Sequence, residues 1–377
     1  MVEQPVTSAN DMVDTGANEA ECRARLFTDP EDVQAMRRLG WLCGQHGRIE
    51  EGRDWLERAL ALQPQSTNLE LPAAALAAAA GDDEEAESAF RKILAHSPNT
   101  SAAQTGLGHI AQGRQQWQAA ENYFRAALKL APEALDALLG LGQSRLALGD
   151  TQQAARWFMR ATQLYPQHPL ALTRYAQALL THGDAQAAAR PLIRALEIDA
   201  DFIEARRMLG HVELVRGRVE AAEAAFRSVL AKALSADAYA GLGHALRMQQ
   251  RFAEAVNAYD HAIGAGESNE QIVTERAACM LRSGQANTAV ADLLGYIETH
   301  KRCGLPRLLL ARIYDQSDRA DDALALWQAA SSTDAQDALA QAELAQRLEL
   351  SGDFAACKQA LGNAAADQRV PTTLLRA

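Results

Sequence analysis

Residues 101–134 read SAAQTGLGHIAQGRQQWQAAENYFRAALKLAPEA, and this stretch decides the fold of the chain. It holds two apolar segments separated by a polar break, and the second segment ends at a proline. Ala120, Phe124 and Ala127 are spaced by four and then three residues, so they share one face of a helix. Gly108 and Ala120 are small, so two helices can approach closely there, and Phe124 fills the space beside them. The stretch therefore predicts an antiparallel helical hairpin that spans residues 101–134.

The same pattern recurs along the chain at a constant period, which is the length of this hairpin. A proline ends the second segment at four evenly spaced positions, Pro64, Pro98, Pro132 and Pro166. A Leu-Gly pair recurs in the first segment at 39–40, 107–108, 141–142, 209–210 and 242–243. The large residue equivalent to Phe124 recurs as Phe90, Phe158, Leu192, Phe226, Tyr259, Leu293, Trp327 and Leu361. One supersecondary unit per repeat at this period is typical of a solenoid.

The small, large and proline positions resemble the tetratricopeptide repeat family, over about residues 33–369. The resemblance implies an all-α, right-handed superhelical solenoid of about ten helical hairpins, similar to bacterial multi-repeat arrays. We expect a flexible tail at 1–16, a capping helix at 17–32 and a C-terminal tail at 370–377. The ten predicted repeats are 33–66, 67–100, 101–134, 135–168, 169–202, 203–235, 236–269, 270–303, 304–337 and 338–369.

The net charge and the cysteine spacing of the chain disfavour a nucleic-acid partner, a zinc site and a disulfide framework. Its formal net charge is −11, with 48 Asp and Glu against 37 Lys and Arg. Because neutralising phosphates needs a surplus of Lys and Arg, we expect no nucleic-acid partner. The five cysteines are scattered without CxxC spacing, so the sequence predicts neither a zinc site nor a disulfide framework.

The N-terminal segment and the hydropathy favour a cytoplasmic protein. Residues 1–16 are polar and acidic, without the basic start or the apolar run of a signal peptide. The most apolar stretch, residues 71–80, is too short to cross a membrane. We therefore expect a soluble, cytoplasmic chain with no membrane partner.

No enzyme motif survives its context in this sequence. Residues 106–111 fit a GxGxxA dinucleotide pattern, but they follow no predicted strand, and the Gly-Leu-Gly part recurs at the same repeat position. We interpret these glycines as small residues at helix crossings. HExxH, GxSxG and GxxxxGK[ST] are absent, and the repeats occupy nearly all of residues 33–369. The sequence predicts a non-catalytic protein without cofactor or metal.

The first helix of each repeat lines the concave groove in the tetratricopeptide repeat family, and the residue after the Leu-Gly pair points into it. Here that position is occupied by Trp41, Ala75, His109, Gln143, Gln177, His211, His244, Ala278, Arg312 and Gln346. Neighbouring first helices lie roughly 10 Å apart, and an extended peptide advances roughly 3.3 Å per residue. Each polar side chain could meet a backbone amide about every third residue. A merely solvated polar face is the alternative that the sequence leaves open.

Seven basic and seven acidic residues fall on groove positions, so the groove is near neutral. Asp136, Glu204 and Asp237 lie at first-helix starts, where helix capping explains them. The groove arginines have no such explanation, so an acidic peptide is a hypothetical partner. The candidate partner-binding residues are Trp41, His109, Gln143, Arg174, Gln177, Arg207, His211, His244, Arg247, Arg282 and Arg312.

Three tryptophans and two histidines also bear on the candidate site. Trp41 is either a binding anchor or buried under the capping helix, whereas Trp117 and Trp327 are predicted to lie in the core. His211 and His244 lie on neighbouring helices, but the sequence offers no third metal ligand at a suitable spacing.

These patterns favour a non-catalytic scaffold or adaptor that binds a peptide or protein partner. Two alternatives stay open: a regulatory or substrate-targeting subunit of a separately encoded enzyme such as a transferase, and a helical-repeat nucleic-acid binder. Residues 370–377 are too short for a closing helix, so we hypothesise that the last repeat forms a homo-oligomer or docks a partner.

Overall fold

The computed structural model describes residues 19–317 and 319–333, together with residues 344, 345, 348, 356, 359 and 360. This part of the chain holds 19 α-helices and no strand. The predicted all-α helical-repeat solenoid is therefore confirmed. The tails at 1–16 and 370–377, and most of the predicted tenth repeat, lie outside the described residues.

After the N-terminal helix α1 (Glu19–Thr28), first and second helices of hairpins alternate. The first helices are α2 (Val33–Gln45), α4 (Thr67–Ala80), α6 (Ser101–Gly113), α8 (Leu135–Ala147), α10 (Pro169–Thr181), α12 (Ile203–Val215), α14 (Ala236–Met248), α16 (Glu270–Arg282) and α18 (Leu305–Asp315). The second helices are α3 (Ile49–Leu62), α5 (Asp83–His96), α7 (Trp117–Leu130), α9 (Thr151–Leu164), α11 (Ala185–Ile198), α13 (Val219–Leu230), α15 (Phe252–Gly264), α17 (Ala286–Thr299) and α19 (Ala320–Thr333). The first helices from α2 to α16 begin at the residue where the sequence period starts, and α18 begins one residue later.

The chain divides into two compact units, Met1–Ala205 and Arg206–Ala377. In the first unit, each helix from α1 to α10 packs against the next helix along the chain. In the second unit, the same holds for each helix from α13 to α18. First helices also contact the first helix of the next repeat, as α6 does with α8 and α16 with α18. Both units are thus stacks of helical hairpins.

The hairpin turns place one residue in the left-handed region at a fixed position of the repeat. Gly149 has a φ of 83° between α8 and α9, and Gln115 has a φ of 58° at the same position of the preceding repeat. Asp150 then caps α9, because its carboxylate accepts a hydrogen bond from the Gln153 N–H at 3.0 Å. These short turns set the two helices of a hairpin side by side.

An aromatic ring held between two glycines links one hairpin to the next. Phe124 is fully buried on α7. A Cβ added at Gly108 of the same repeat would lie 2.6 Å from Phe124 Cε1, and one at Gly140 of the next repeat would lie closer still to Cζ. The Gly-Leu-Gly run therefore has a packing role: its first glycine contacts the ring of the preceding repeat, and its second contacts the ring of its own repeat.

The same arrangement recurs in the second unit. Phe226 is fully buried, and added Cβ atoms at Gly210 and Gly241 would both clash with its ring. Gly243 likewise faces the ring of Tyr259 in its own repeat. This recurrence supports the interpretation of these glycines as helix-crossing residues.

Helix α1 packs on the first repeat. Its Cys22 and Leu26 are buried in one cluster with Met36 and Leu39 of α2. Trp41 is half-buried and lies outside this cluster, so of its two alternatives, burial under α1 is not what the structure shows.

The two tryptophans that the sequence predicts to lie in the core differ in their burial. Trp327 is fully buried, and its Nε1–H donates to Asp315 Oδ2 at 3.1 Å. Trp117 is only partly buried, because it is the first residue of α7 and lies at the hairpin turn.

We expect Gly140→Ala to lower the free energy of unfolding by about 1–2 kcal/mol, because the added methyl group displaces the Phe124 ring and outweighs the gain in helix propensity. Gly113→Ala is the matched control. Gly113 ends α6 with nothing within 4 Å of an added Cβ, so this substitution should change stability by zero to about +1 kcal/mol. Urea unfolding followed by circular dichroism measures both, and equal effects would contradict the packing role.

Candidate functional site

The candidate residues all lie on first helices. We call the surface that they form in each unit its first-helix surface. His109, Arg282 and Arg312 are exposed, and the other candidates are partly buried. The first unit carries Trp41 on α2, His109 on α6, Gln143 on α8, and Arg174 and Gln177 on α10. The second unit carries Arg207 and His211 on α12, His244 and Arg247 on α14, Arg282 on α16 and Arg312 on α18.

Three histidines after the Leu-Gly pair pack on the aromatic ring of their own repeat. His109 meets Phe124 edge-on with 5.1 Å between ring centroids, and His211 meets Phe226 in the same way at 5.0 Å. His244 does so with Tyr259 at 5.7 Å. These histidines thus cover the buried rings as well as lining the surface.

In the second unit, Arg207 and His211 share one carboxylate. His211 Nε2 lies 3.0 Å from Asp237 Oδ2, and the Arg207 guanidinium also donates to this oxygen. The contact with His211, together with the charge of Arg207, lowers the pKa of Asp237 to about 2, although burial opposes ionisation. Asp237 is the second residue of α14, so the pairing joins consecutive first helices.

A second carboxylate, Glu275 on α16, collects contacts from two helices. The Tyr259 hydroxyl donates to Glu275 Oε2 at 2.7 Å, and His244 Nδ1 lies 2.9 Å from the same oxygen. Arg247 Nε lies 3.4 Å away. Burial opposes ionisation of this carboxyl, but the hydrogen bonds from His244 and Tyr259 outweigh it and lower its pKa to about 2.

The first unit contains a pairing of the same kind. Arg174 Nη1 on α10 lies 3.3 Å from Glu204 Oε1 and donates to Gln177 Oε1 at 3.1 Å. The assumption that the groove arginines lack an explanation is therefore wrong for three of them. Each pairs with a carboxylate on a following first helix: Arg174 with Glu204, Arg207 with Asp237 and Arg247 with Glu275.

Sequence reasoning assigned Glu204 and Asp237 to helix capping alone and missed their ion pairs. The signal was present, because both acids occupy the second position of a first helix, and the preceding first helix carries an arginine.

Arg282 lies beside an aromatic ring, since its Cζ is 5.3 Å from the centroid of the Phe252 ring.

Asp136 also occupies the second position of a first helix, but it differs from Glu204 and Asp237 in its contacts. It is half-buried on α8 and has no hydrogen-bond or ion-pair partner among the residues that the structure describes. Burial raises its pKa to about 7. On the same helix, Gln143 Oε1 is buried and accepts no hydrogen bond from any described residue. Neither feature could be derived from the sequence.

A separate cleft of about 430 Å³ lies in the first unit, among α3, α4 and α5. Its lining includes the small residues Ala73 and Ala77 and the exposed charged residues Glu57 and Lys92. The cleft follows from the alanine-rich sequence of α4, whose side chains are too small to fill the space.

The part of the chain that the structure describes contains no group of three His, Cys, Asp or Glu side chains that could hold a metal ion. None of their helices is long and apolar enough to cross a membrane.

We expect Glu275→Gln to lower the free energy of unfolding by about 2 kcal/mol at neutral pH, since it removes the charged acceptor of hydrogen bonds from Tyr259, His244 and Gln271. Because the pKa of Glu275 is depressed when folded, its stabilisation is present above about pH 4.5 and is lost as the pH falls towards 2. The difference between variant and wild type should shrink over that range. Glu298→Gln is the control, because Glu298 is exposed, and urea titrations at several pH values measure both.

Asp136→Asn should have the opposite effect and stabilise the fold by about 1 kcal/mol at pH 8, because it removes an unpaired, partly buried charge. The folded pKa near 7 lies above the unfolded value near 3.9, so the gain should grow between pH 4 and pH 7 and then level off. Thermal melts at pH 4.5 and pH 8 test this. A loss of stability at pH 8 would show that Asp136 has a partner within the chain.

Comparison with known proteins supports the assignment of the fold. The family profile described as Tetratricopeptide repeat matches residues 20–67, 105–169, 145–201 and 207–270, which together make up more than half of the chain. No curated protein sequence matches this chain.

Several solved structures are similar to this chain. One is the crystal structure of the APC/C hetero-tetramer Cut9-Hcn1, with a TM-score of 0.61, 16% identity, and a match covering 79% of this chain and 60% of that one. Another is the human IFIT1 dimer with m7Gppp-AAAA, with a TM-score of 0.53, 14% identity, and coverage of 94% and 97%. A third is a tetratricopeptide repeat protein from Parabacteroides merdae ATCC 43184, with a TM-score of 0.51, 18% identity, and coverage of 64% and 96%.

At these identities the likeness shows the fold alone, and the chain spans 60% of the length of the Cut9-Hcn1 chain. The family assignment depends instead on the matched segments of sequence and on the helical hairpins that recur with the sequence period. These two observations show that the chain belongs to the tetratricopeptide repeat family.

Proposed function

We propose that this chain is a non-catalytic scaffold or adaptor that binds a peptide or protein segment on a first-helix surface. The tetratricopeptide repeat fold is generally a scaffold for protein–protein interaction. The observation that carries the proposal is the row of polar side chains His109, Gln143 and Gln177, at the same position of three consecutive repeats in the first unit. A cytoplasmic location stays a prediction from the sequence.

This row suits an extended peptide. The three residues lie on α6, α8 and α10, which are the first helices of neighbouring repeats. First helices packed at roughly 10 Å bring one such side chain opposite about every third residue of an extended strand. The side-chain amides of Gln143 and Gln177 carry N–H groups that can donate to a peptide C=O.

The pairing of the arginines bears on the kind of partner. Arg174, Arg207 and Arg247 already contact carboxylates of the chain, so an acidic peptide would have to displace these contacts. Arg282 is exposed and lies in the second unit. The acidic partner expected from the sequence therefore has its remaining support at this residue.

The packing of the glycines favours a non-catalytic role for the Gly-Leu-Gly runs. Gly106 faces the Phe90 ring and Gly108 faces the Phe124 ring, so neither lies in a loop that could hold a phosphate.

The proposal is tested by selecting peptides from a phage-displayed library of random linear dodecapeptides against the purified chain. We expect selected peptides to bind the His109→Ala/Gln143→Ala/Gln177→Ala variant at least about tenfold more weakly, a loss of about 1.4 kcal/mol. The matched control is Glu57→Ala/Lys92→Ala, which changes two charged residues that line the cleft and should leave affinity unchanged.

Circular dichroism of both variants serves to check that they are folded. Peptides that lose affinity only for the cleft variant would overturn the first-helix surface as the binding site. Failure to select any peptide, combined with salt-dependent binding of a single-stranded oligoribonucleotide, would instead favour a nucleic-acid binder.

A further inference from the structure

Residue 89 on α5 is an alanine at a position where neighbouring repeats carry an aromatic side chain. The equivalent residues of the first, third and fourth repeats are Trp55, Tyr123 and Trp157. Each of these rings is partly buried and packs against a core cluster of the first unit. Ala89 instead lines the cleft of about 430 Å³ among α3, α4 and α5. A ring that the other repeats supply is thus missing at this cleft.

The first helix of the same repeat lacks a second large side chain. The leucine of the Leu-Gly pair, which is fully buried at residues 39 and 141, is replaced by Ala73. Ala73 also lines the cleft, together with Ala74 and Ala77. The alanines leave a space of the size of a small-molecule pocket, since such pockets begin at roughly 300 Å³.

Lys92 gives an independent sign of what this cleft would hold. In the first repeat, Arg58 Cζ lies 4.9 Å from the centroid of the Trp55 ring, three residues before it. In the fourth repeat, Arg160 Cζ lies 6.0 Å from the centroid of the Trp157 ring. Lys92 occupies the equivalent position of α5, lines the cleft, and has no hydrogen-bond, ion-pair or ring partner among the described residues. The second repeat therefore keeps the cation of a cation–π pair without its ring.

The cleft is bounded along the direction of its helices. Near the start of α5, Glu85 Oε2 lies 2.7 Å from the Arg53 guanidinium of α3, which also pairs with Asp82. Pro64 and Gln65, which follow the end of α3, line the cleft as well. A continuous segment lying along α3 and α5 would have to break the contacts of Arg53, whereas a compact molecule fits between these bounds.

We propose that this cleft binds a small aromatic molecule, an indole or a phenol, whose ring takes the place of the side chain missing at Ala89. The ring packs on the alanines of α4, and the ammonium group of Lys92 lies over its face. Indole suits the site best, because among side-chain ring types it attracts a cation most strongly. None of the residues that line the cleft is a candidate partner-binding residue, so this inference goes beyond the proposed function and does not depend on it.

The test titrates indole into the full chain by isothermal titration calorimetry. We expect one saturable site per chain, and we expect indole to raise the melting temperature, because it binds the folded state. Phenol should bind at least about threefold more tightly than cyclohexanol, its saturated counterpart, because only the aromatic ring attracts Lys92.

Ala89→Trp supplies the missing ring from the chain itself. It should weaken indole binding at least about tenfold and should raise the melting temperature, because the tryptophan fills the cleft. Ser88→Trp is the matched control, since Ser88 is exposed on the same helix and does not line the cleft. It should leave the affinity for indole unchanged.

Lys92→Gln tests the cation without filling the cleft. It should weaken indole binding about threefold, whereas Lys92→Arg should preserve it. Lys129→Gln is the control, because Lys129 is exposed on α7, outside the cleft. These variants change exposed side chains, so they decide the question even where Ala89→Trp fails to fold.

Three outcomes would contradict the inference. Indole that binds Ala89→Trp as tightly as the wild type would show that the cleft is not its site. Equal affinities for phenol and cyclohexanol, or unchanged indole binding by Lys92→Gln, would overturn the aromatic class of the ligand. A wild-type chain without saturable indole binding would overturn the site itself. Each outcome leaves the proposed function standing, because the first-helix surface is unchanged in these experiments.

Discussion

The contact on which the rest of the structure depends is a buried aromatic ring between two glycines of successive first helices. Phe124 lies between Gly108 and Gly140, and Phe226 lies between Gly210 and Gly241. A side chain at either glycine would separate the helices, so this contact fixes the distance between a hairpin and the next one. In an α-helix the Cα–Cβ bonds point in fixed directions. The same contact therefore also fixes which surface residues of neighbouring first helices face each other.

The polar contacts of the first helices follow from this register. Histidines after the Leu-Gly pair cover the edges of the held rings, as His211 does with Phe226. Acids at the second helix position reach the basic residues of the preceding first helix, as Asp237 reaches Arg207. Where the preceding helix has no Lys or Arg, as α6 has none, no cation of the described residues reaches the carboxylate. One packing rule therefore gives ion pairs at some repeats and none among the described residues at Asp136.

Much of the fold could be predicted from the sequence, because the signals are local and periodic. The starts of the first helices from α2 to α16 follow from the repeat period, and the large second-helix residues such as Phe158 are buried as the spacing indicates. The candidate site was harder to predict, because its contacts join different repeats. Whether Arg174 contacts Glu204 depends on how α10 and α12 are positioned against each other. The spacing of residues within one helix does not give this position. Trp117 was misjudged for a similar reason, since its position at the start of α7 exposes part of its ring.

The central claim is that the ring–glycine contact couples one hairpin to the next. The most direct measurement is a double-mutant cycle between Phe124→Leu and Gly140→Ala, followed by urea unfolding. If the methyl group at residue 140 is excluded by the ring, the smaller leucine makes room for it. The double variant should then be more stable than the sum of the single changes by about 1 kcal/mol. Strictly additive changes in the free energy of unfolding would contradict the account, because they would mean that the side chains at residues 140 and 124 do not interact.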